Sequence, residues 1–353
     1  MKTDFVLYRM PYAEQAYRID ADTTHLLSSA EELDGVCGFV MAPFQTSAST
    51  PIVVIEGKSV PVPMASMPSR VAVDEHCSRE QYASDFARFH EAICQGHFSK
   101  LVLSRCASFT SSELYCPEQL FAEACRSYPR MMIALVCSEV AGTWLMATPE
   151  ILLALDGYQW RTMALAGTMA WEGKKQYEWS EKNKKEQLLV AHYIEEALST
   201  FATDLEISEP YTVKAGNLVH LRSDFSFTLD DSLTDGNGLG KLVDALHPTP
   251  AVCGLPKQEA MEFIIANESI DRRYYSGYCG ISGDQFYFTL LPYHTAGSNG
   301  YCASDFCVRD HGGLPESMAD HFAGTFGSCS DSGAYLSGHP YEKTGVSSAS
   351  CGL

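Results

Sequence analysis

The chain has 353 residues, 46% hydrophobic and 20% charged, a balance that suits one large globular domain or two tightly joined ones. A formal net charge of −19 argues against nucleic acid and anionic membrane surfaces as partners. Thirteen cysteines, with no C-x-x-C pair, no hydrophobic leader after Met1 and no run able to span a bilayer, predict reduced thiols in a cytoplasmic protein.

Residues 1–75 mix short apolar runs, Gly38-Phe-Val-Met41 and Ile52-Val-Val-Ile55, with turn residues, and Pro61, Pro63 and Pro68 close that region. A helix is expected from Ser78, where Gln81 three residues on makes a capping box; Phe86, Phe89 and Ile93 form its apolar face and Gly96 ends it. Strand-like runs follow at 101–105, 131–137, 143–147, 150–155 and 161–167. Between them a helix fits 117–127, with Pro117 in its first turn. A long helix is expected from Ser180 to about Phe201 and another over 257–269, with Ala260, Phe263 and Ile264 facing inward. Short strands close together predict an α+β fold of antiparallel sheets packed face to face with flanking helices, rather than a βαβ series.

Three charged residues lie in or against apolar sequence. Lys100 opens the run Lys100-Leu-Val-Leu-Ser-Arg105, and Glu150 follows Thr148-Pro149 and precedes Ile151-Leu-Leu-Ala-Leu155. Glu186 heads a helical stripe of Leu189, Val190, Tyr193, Ile194 and Ala197. Taken alone, Lys100 reads as an edge-strand lysine, Glu150 as a turn residue and Glu186 as a carboxylate favoured by the helix dipole. Buried, each would need a partner or a task.

Five ordered segments decide between these readings: Ser99-Lys-Leu-Val-Leu-Ser-Arg105, Thr162-Met-Ala-Leu-Ala-Gly-Thr168, Lys182-Asn-Lys-Lys-Glu-Gln187, Leu246-His-Pro-Thr-Pro-Ala-Val-Cys-Gly-Leu-Pro-Lys257 and Asp271-Arg-Arg-Tyr-Tyr-Ser-Gly-Tyr278. Together they resemble the chorismate-utilising enzymes over residues 80–290, and most of all the isochorismate synthases. The resemblance implies water attack at C2 of chorismate, a shift of the ring double bonds and loss of the C4 hydroxyl. It places Lys100 as the base and Glu150 as the acid, and makes Glu186 a Mg²⁺ ligand. Burial would have to lower the first pKa and raise the second. The backbone at Gly167 and Thr168 would cradle the substrate carboxylate, His220 would stand near the pocket, and Ala251 and Val252 would wall the attacked carbon. Water as nucleophile implies no glutaminase partner. Menaquinone and siderophore routes share this step; the alternatives are another chorismate-utilising synthase such as salicylate synthase, or a catalytically dead chorismate-binding protein.

The expected organisation is an N-terminal part of the fold at 1–77, a chorismate-binding core at 78–291 and an atypical tail at 292–353. Gly or Ser makes up 20 of the 62 tail residues, and helical or strand periodicity fades there. Where the family has a Leu-Arg strand with a carboxylate-clamping Arg, this chain has Leu291-Pro292; residues 318–327 carry neither the family's second metal-binding Glu nor its Lys. These features fit a reading frame disrupted near residues 279–291, which translation of the encoding DNA in its other frames tests. They imply weak Mg²⁺ binding and low turnover.

Overall fold

The structure, a computed structural model, describes residues 4–63, 73–76, 79–216, 218–230, 238–283, 285–291, 294–297, 303–310 and 336–337. Two large antiparallel sheets carry the chain. The nine-stranded sheet runs Ser59–Val62, Ala16–Asp20, Phe5–Arg9, Met132–Ser138, Gly142–Thr148, His294–Gly297, Ala303–Asp310, Arg105–Tyr115, Val73–His76. The ten-stranded sheet runs Ala202–Ile207, Leu218–Leu229, Gln159–Ala170, Ile151–Asp156, Tyr287–Leu290, Tyr278–Ser282, Gly38–Ala42, Ile52–Glu56, Thr23–Leu27, and Tyr211–Ala215 also pairs with Leu218–Leu229.

The two-residue period of a strand explains the layering. Val6, Tyr8, Met132, Ala134 and Val136 face Phe39, Met41, Val53 and Ile55 across the space between the sheets. Their chain neighbours Phe5, Leu7, Ile133 and Leu135 point the other way, onto helix α2 (Pro117–Ser127) through Leu120, Phe121 and Ala124. On the far side of the second sheet, Val40, Ala42, Ile52 and Val54 meet α3 (Glu181–Leu198) and α4 (Leu239–Leu246) through Val190, Ile194, Leu242 and Leu246. Strands covered on both faces read as unbroken apolar runs: every residue of Met132–Ser138 is buried. Helices α1 (Arg79–Cys94) and α5 (Lys257–Asn267) form a separate cluster in which Phe89, Ile93, Ala260 and Ile264 pack on Phe98, Leu101 and Leu103.

This is the expected α+β architecture, and α2 has the foreseen limits. Helix α3 ends at Leu198 rather than Phe201, because the chain after Phe201 joins the sheet as Ala202–Ile207. Helix α4 was not anticipated. The run 101–105 does not make one strand: Lys100–Leu101 pairs with Gly254–Leu255 and with Leu336–Ser337 in a small third sheet, residues 102–104 leave the ladder, and a new strand starts at Arg105. The N-terminal residues share both sheets with the core: Phe5–Arg9 pairs with Met132–Ser138, and Gly38–Ala42 with Tyr278–Ser282. Beyond residue 291, His294–Gly297 and Ala303–Asp310 extend the first sheet between Gly142–Thr148 and Arg105–Tyr115. Ser78, the foreseen cap of α1, and residues 311–335 and 338–353 of the tail lie outside the described residues. Among the described residues no helix is long and apolar enough to cross a membrane, and seven cysteines are free thiols.

Candidate active site

Lys100, Glu150 and Glu186 come from three different parts of the fold and are only 2%, 5% and 3% exposed. Each is held by local structure. The backbone of Lys100 sits against Gly254, where a Cβ would collide with the Lys100 carbonyl oxygen, so only glycine permits this pairing. Neighbouring bonds from Ser99 N–H to Leu255 O (3.0 Å) and from Val102 N–H to Cys253 O (2.8 Å) complete the register.

Glu150 stands at the corner where the chain passes from the first sheet to the second. Its N–H donates to Thr148 Oγ1 (3.2 Å), Thr148 and Thr289 hydroxyls bond at 3.0 Å, and Thr289 Oγ1 donates to the Glu150 carbonyl. Each hydroxyl has a single proton, so Thr148 must donate to Thr289 and the three bonds close a directional ring. Leu290 N–H donates to the same carbonyl at 3.0 Å. The backbone of Glu150 is thus fixed while its side chain remains free to act.

Glu186 lies on the inward face of α3, one turn before Val190 and two before Ile194. Ser180 caps this helix, accepting from Asn183 N–H at 3.3 Å. Beside Glu186, Gln187 Nε2 donates to Ser223 Oγ at 2.9 Å. Lys182, one turn earlier and mostly exposed, places Nζ 3.6 Å from Glu186 Oε1. That oxygen and Glu150 Oε1 are buried without a hydrogen-bond partner. Such atoms are costly unless a ligand, proton or ion meets them.

The electrostatics tie the three groups into one site. Burial drives the Lys100 pKa down to about 8, while Glu186, Glu150 and Cys253 partly restore it. Burial drives the Glu150 pKa up to about 8, against the pull of the Lys100 ammonium. Desolvation outweighs attraction in both cases, and it moves a base and an acid towards each other.

The remaining residues frame this trio. Gly167 is the bulge that shifts register between Ala166 and Thr168, with φ of +76°, and a Cβ there would come 3.1 Å from the Asn183 carbonyl oxygen, one turn before Glu186. His220 lies directly opposite Thr168 in the ladder, and its Nδ1 bonds Thr168 Oγ1 at 3.1 Å. Burial pushes the His220 pKa down to about 4, which keeps the ring neutral at pH 7. Ala251 and Val252 are buried in a turn held by Thr249 and share an apolar cluster with Ala166, Val190 and Ala191. Lys100 feels the charge of both Glu150 and Glu186; Gly167 lies against Asn183 of α3 and next to the Thr168–His220 pair, and Ala251 and Val252 lead into Cys253 and Gly254 beside Lys100. Gly167→Ala is expected to destabilise the protein by about 1–2 kcal/mol through the left-handed backbone, and to displace the first turn of α3. Chemical denaturation checks this.

Sequence reasoning missed the supports of the site. The Thr148–Thr289 ring joins residues 141 positions apart and left no local signal. The buried Arg272–Glu268 ion pair did leave one, an acid four residues before a base, but that spacing also describes an ordinary surface pair.

A family model described as chorismate binding enzyme matches residues 52–286. The salicylate biosynthesis isochorismate synthase of Pseudomonas aeruginosa is 29% identical over 211 residues, 57% of this chain and 43% of that protein. Isochorismate synthase DhbC of Bacillus subtilis is 31% identical over 223 residues, 58% of this chain and 55% of that one. The chain thus spans about half the length of the curated relatives it matches. The fold is also that of DhbC from Bacillus anthracis, with a TM-score of 0.75 at 19% identity over 92% of this chain and 96% of the other. The matched span takes in the trio and the residues that frame it, and the chain belongs to the chorismate binding enzyme family.

Proposed function

We propose that this chain is an isochorismate synthase, isomerising chorismate by adding water at C2 and expelling the C4 hydroxyl. The observation that carries the reading is the buried Lys100–Glu150 pair, with both pKa values brought to about 8 from opposite sides. Neutral Lys100 takes a proton from the attacking water, the ring double bonds shift, and protonated Glu150 gives its proton to the departing hydroxyl. The pair starts neutral and ends as an ion pair. Desolvation favours the first state, while the amine's greater intrinsic basicity and Coulomb attraction together favour the second; at matched pKa values the two states lie close in free energy. Because substrate and product are isomers, the return reaction needs the same two groups with roles exchanged, and such a balance serves both directions. The relatives' names support isochorismate as product, and the same step serves menaquinone or siderophore routes.

The buried Oε1 of Glu186, which accepts no hydrogen bond and has only the Lys182 ammonium 3.6 Å away, suits a Mg²⁺ ligand. Among the described residues no group of three His, Cys, Asp or Glu forms a ready-made cage. Mg²⁺ keeps water and can complete its shell with substrate oxygens. Bound there, the ion would neutralise the substrate carboxylate and orient the ring. The backbone at Gly167 and Thr168, the neutral His220 and the apolar wall of Ala251 and Val252 would seat the rest of the ring. Glu186→Gln is expected to weaken Mg²⁺ binding by at least about tenfold, read by calorimetry in the presence of chorismate.

The family match stops at residue 286, before the segment in which the resemblance places the carboxylate-clamping Arg and the second metal-binding Glu. Turnover is accordingly expected to be low. Chromatography of the products from chorismate and Mg²⁺ tests the function. Isochorismate is the expected product; salicylate with pyruvate, or binding with no conversion at all, overturns the reading.

A further inference from the structure

The chain leaves its ladder directly after the base, and what holds it there is a buried ion pair. Arg272 and Glu268 side chains are 3% and 1% exposed. Every N–H of the guanidinium has an acceptor. Nε donates to Glu268 Oε2 (2.6 Å) and Nη2 to Glu268 Oε1 (2.8 Å) and to Val102 O (2.7 Å); Nη1 donates to Val252 O (2.8 Å) and Ser276 Oγ (3.4 Å). Glu268 Oε1 in turn accepts the Ser104 N–H at 2.7 Å. The face of Arg272 lies 4.6 Å from the Phe44 ring centroid.

The groups that this pair satisfies are those left free when the strand stops at Leu101. Val102 and Ser104 follow the base by two and four residues, and Val252 belongs to the apolar wall opposite. We propose that the Arg272–Glu268 pair is a positioning device for Lys100, locking the segment that carries the amine to the wall segment 251–253. Stability alone does not account for it. An apolar replacement of a buried ion pair is often as stable or more so, but it would leave two carbonyls and an N–H without partners and let the two segments part. A lysine at 272 keeps the charge and loses the fork that bridges them.

The inference rests on the acid–base role of Lys100, and the experiment separates the two. Arg272→Lys and Glu268→Gln are compared with the parent by thermal unfolding, by kcat and KM for chorismate, and by acetylation of individual lysines followed by peptide mass spectrometry. The expected result is a kcat lowered by about 30-fold or more with KM within about threefold, as a displaced catalytic group gives. Lys100 is also expected to acetylate at least about tenfold faster than in the parent, with half-buried Lys257 unchanged. If Arg272→Lys does not fold, Glu268→Gln, which still accepts the Ser104 N–H, decides. Unchanged Lys100 acetylation in a folded variant overturns the proposal, as does equal acceleration at Lys257, which marks general loosening. Faster Lys100 acetylation in a chain whose parent makes no isochorismate upholds the positioning and removes the chemistry.

Discussion

Lys100→Met is expected to lower single-turnover conversion of chorismate by about 10²–10⁴-fold, the usual worth of a general base, and at the same time to make the protein more stable. The second effect follows from the first group's environment. An unfolded chain holds the lysine proton up to its ordinary pKa of 10.5, whereas the folded protein releases it near 8. Between those values the unfolded state binds more protons, so stability rises with pH from about 8 to 10.5, and below 8 the folded state bears the whole penalty. That penalty is on the order of 3 kcal/mol at pH 7. Methionine fills a similar volume without a charge to desolvate. Part of the gain is offset because Glu186 loses an attractive neighbour, though Lys182 remains 3.6 Å from it. The net expectation is a thermal midpoint a few degrees above the parent and a stability that no longer climbs between pH 8 and 10. A variant that keeps most of the turnover removes Lys100 from the chemistry; one that unfolds earlier than the parent shows the lysine to be structural.

The fold was legible where local patterns and burial agree. Helix α2 follows from Pro117 and its apolar period, and the strands of the double layer from apolar runs between turns. The trio was legible because a charge in an apolar run is costly enough to need a reason, and five ordered segments supplied one. Residues 101–105 misled because Leu-Val-Leu is apolar in any buried setting. Nothing in that run reveals that Val102 and Ser104 bond to a side-chain pair more than 160 residues away. Helix α4 went unseen: its eight residues are too few to establish a period, and its Leu242, Val243 and Leu246 gain meaning only against α3 and the sheet. His220 illustrates the same limit. The sequence shows a histidine among apolar residues, but its neutrality depends on burial, and its hydrogen-bond partner is a cross-strand threonine 52 positions away.

Glu150→Gln tests the acid, and its signature is a change in shape as well as size. The raised pKa means that the folded protein holds a proton which the unfolded chain loses near 4.5. The stabilising contribution of protonated Glu150 is therefore complete below about pH 4.5 and lost as pH rises towards 8. The loss is on the order of 5 kcal/mol by linkage. Glutamine is isosteric and permanently neutral, and the threonine ring binds only the backbone of residue 150, so the fold has no reason to move. The variant should be more stable than the parent at pH 8, nearly equal at pH 4.5, and slower in conversion by about 10²–10⁴-fold. The rate profile separates acid from base. On the proposed mechanism the parent needs neutral Lys100, favoured above pH 8, and protonated Glu150, favoured below it, and so should peak near pH 8. With glutamine at 150 the alkaline fall should vanish while the acid limb set by Lys100 remains. An alkaline limb that persists in Glu150→Gln would assign the leaving-group proton to another residue, even if the overall rate had dropped as expected.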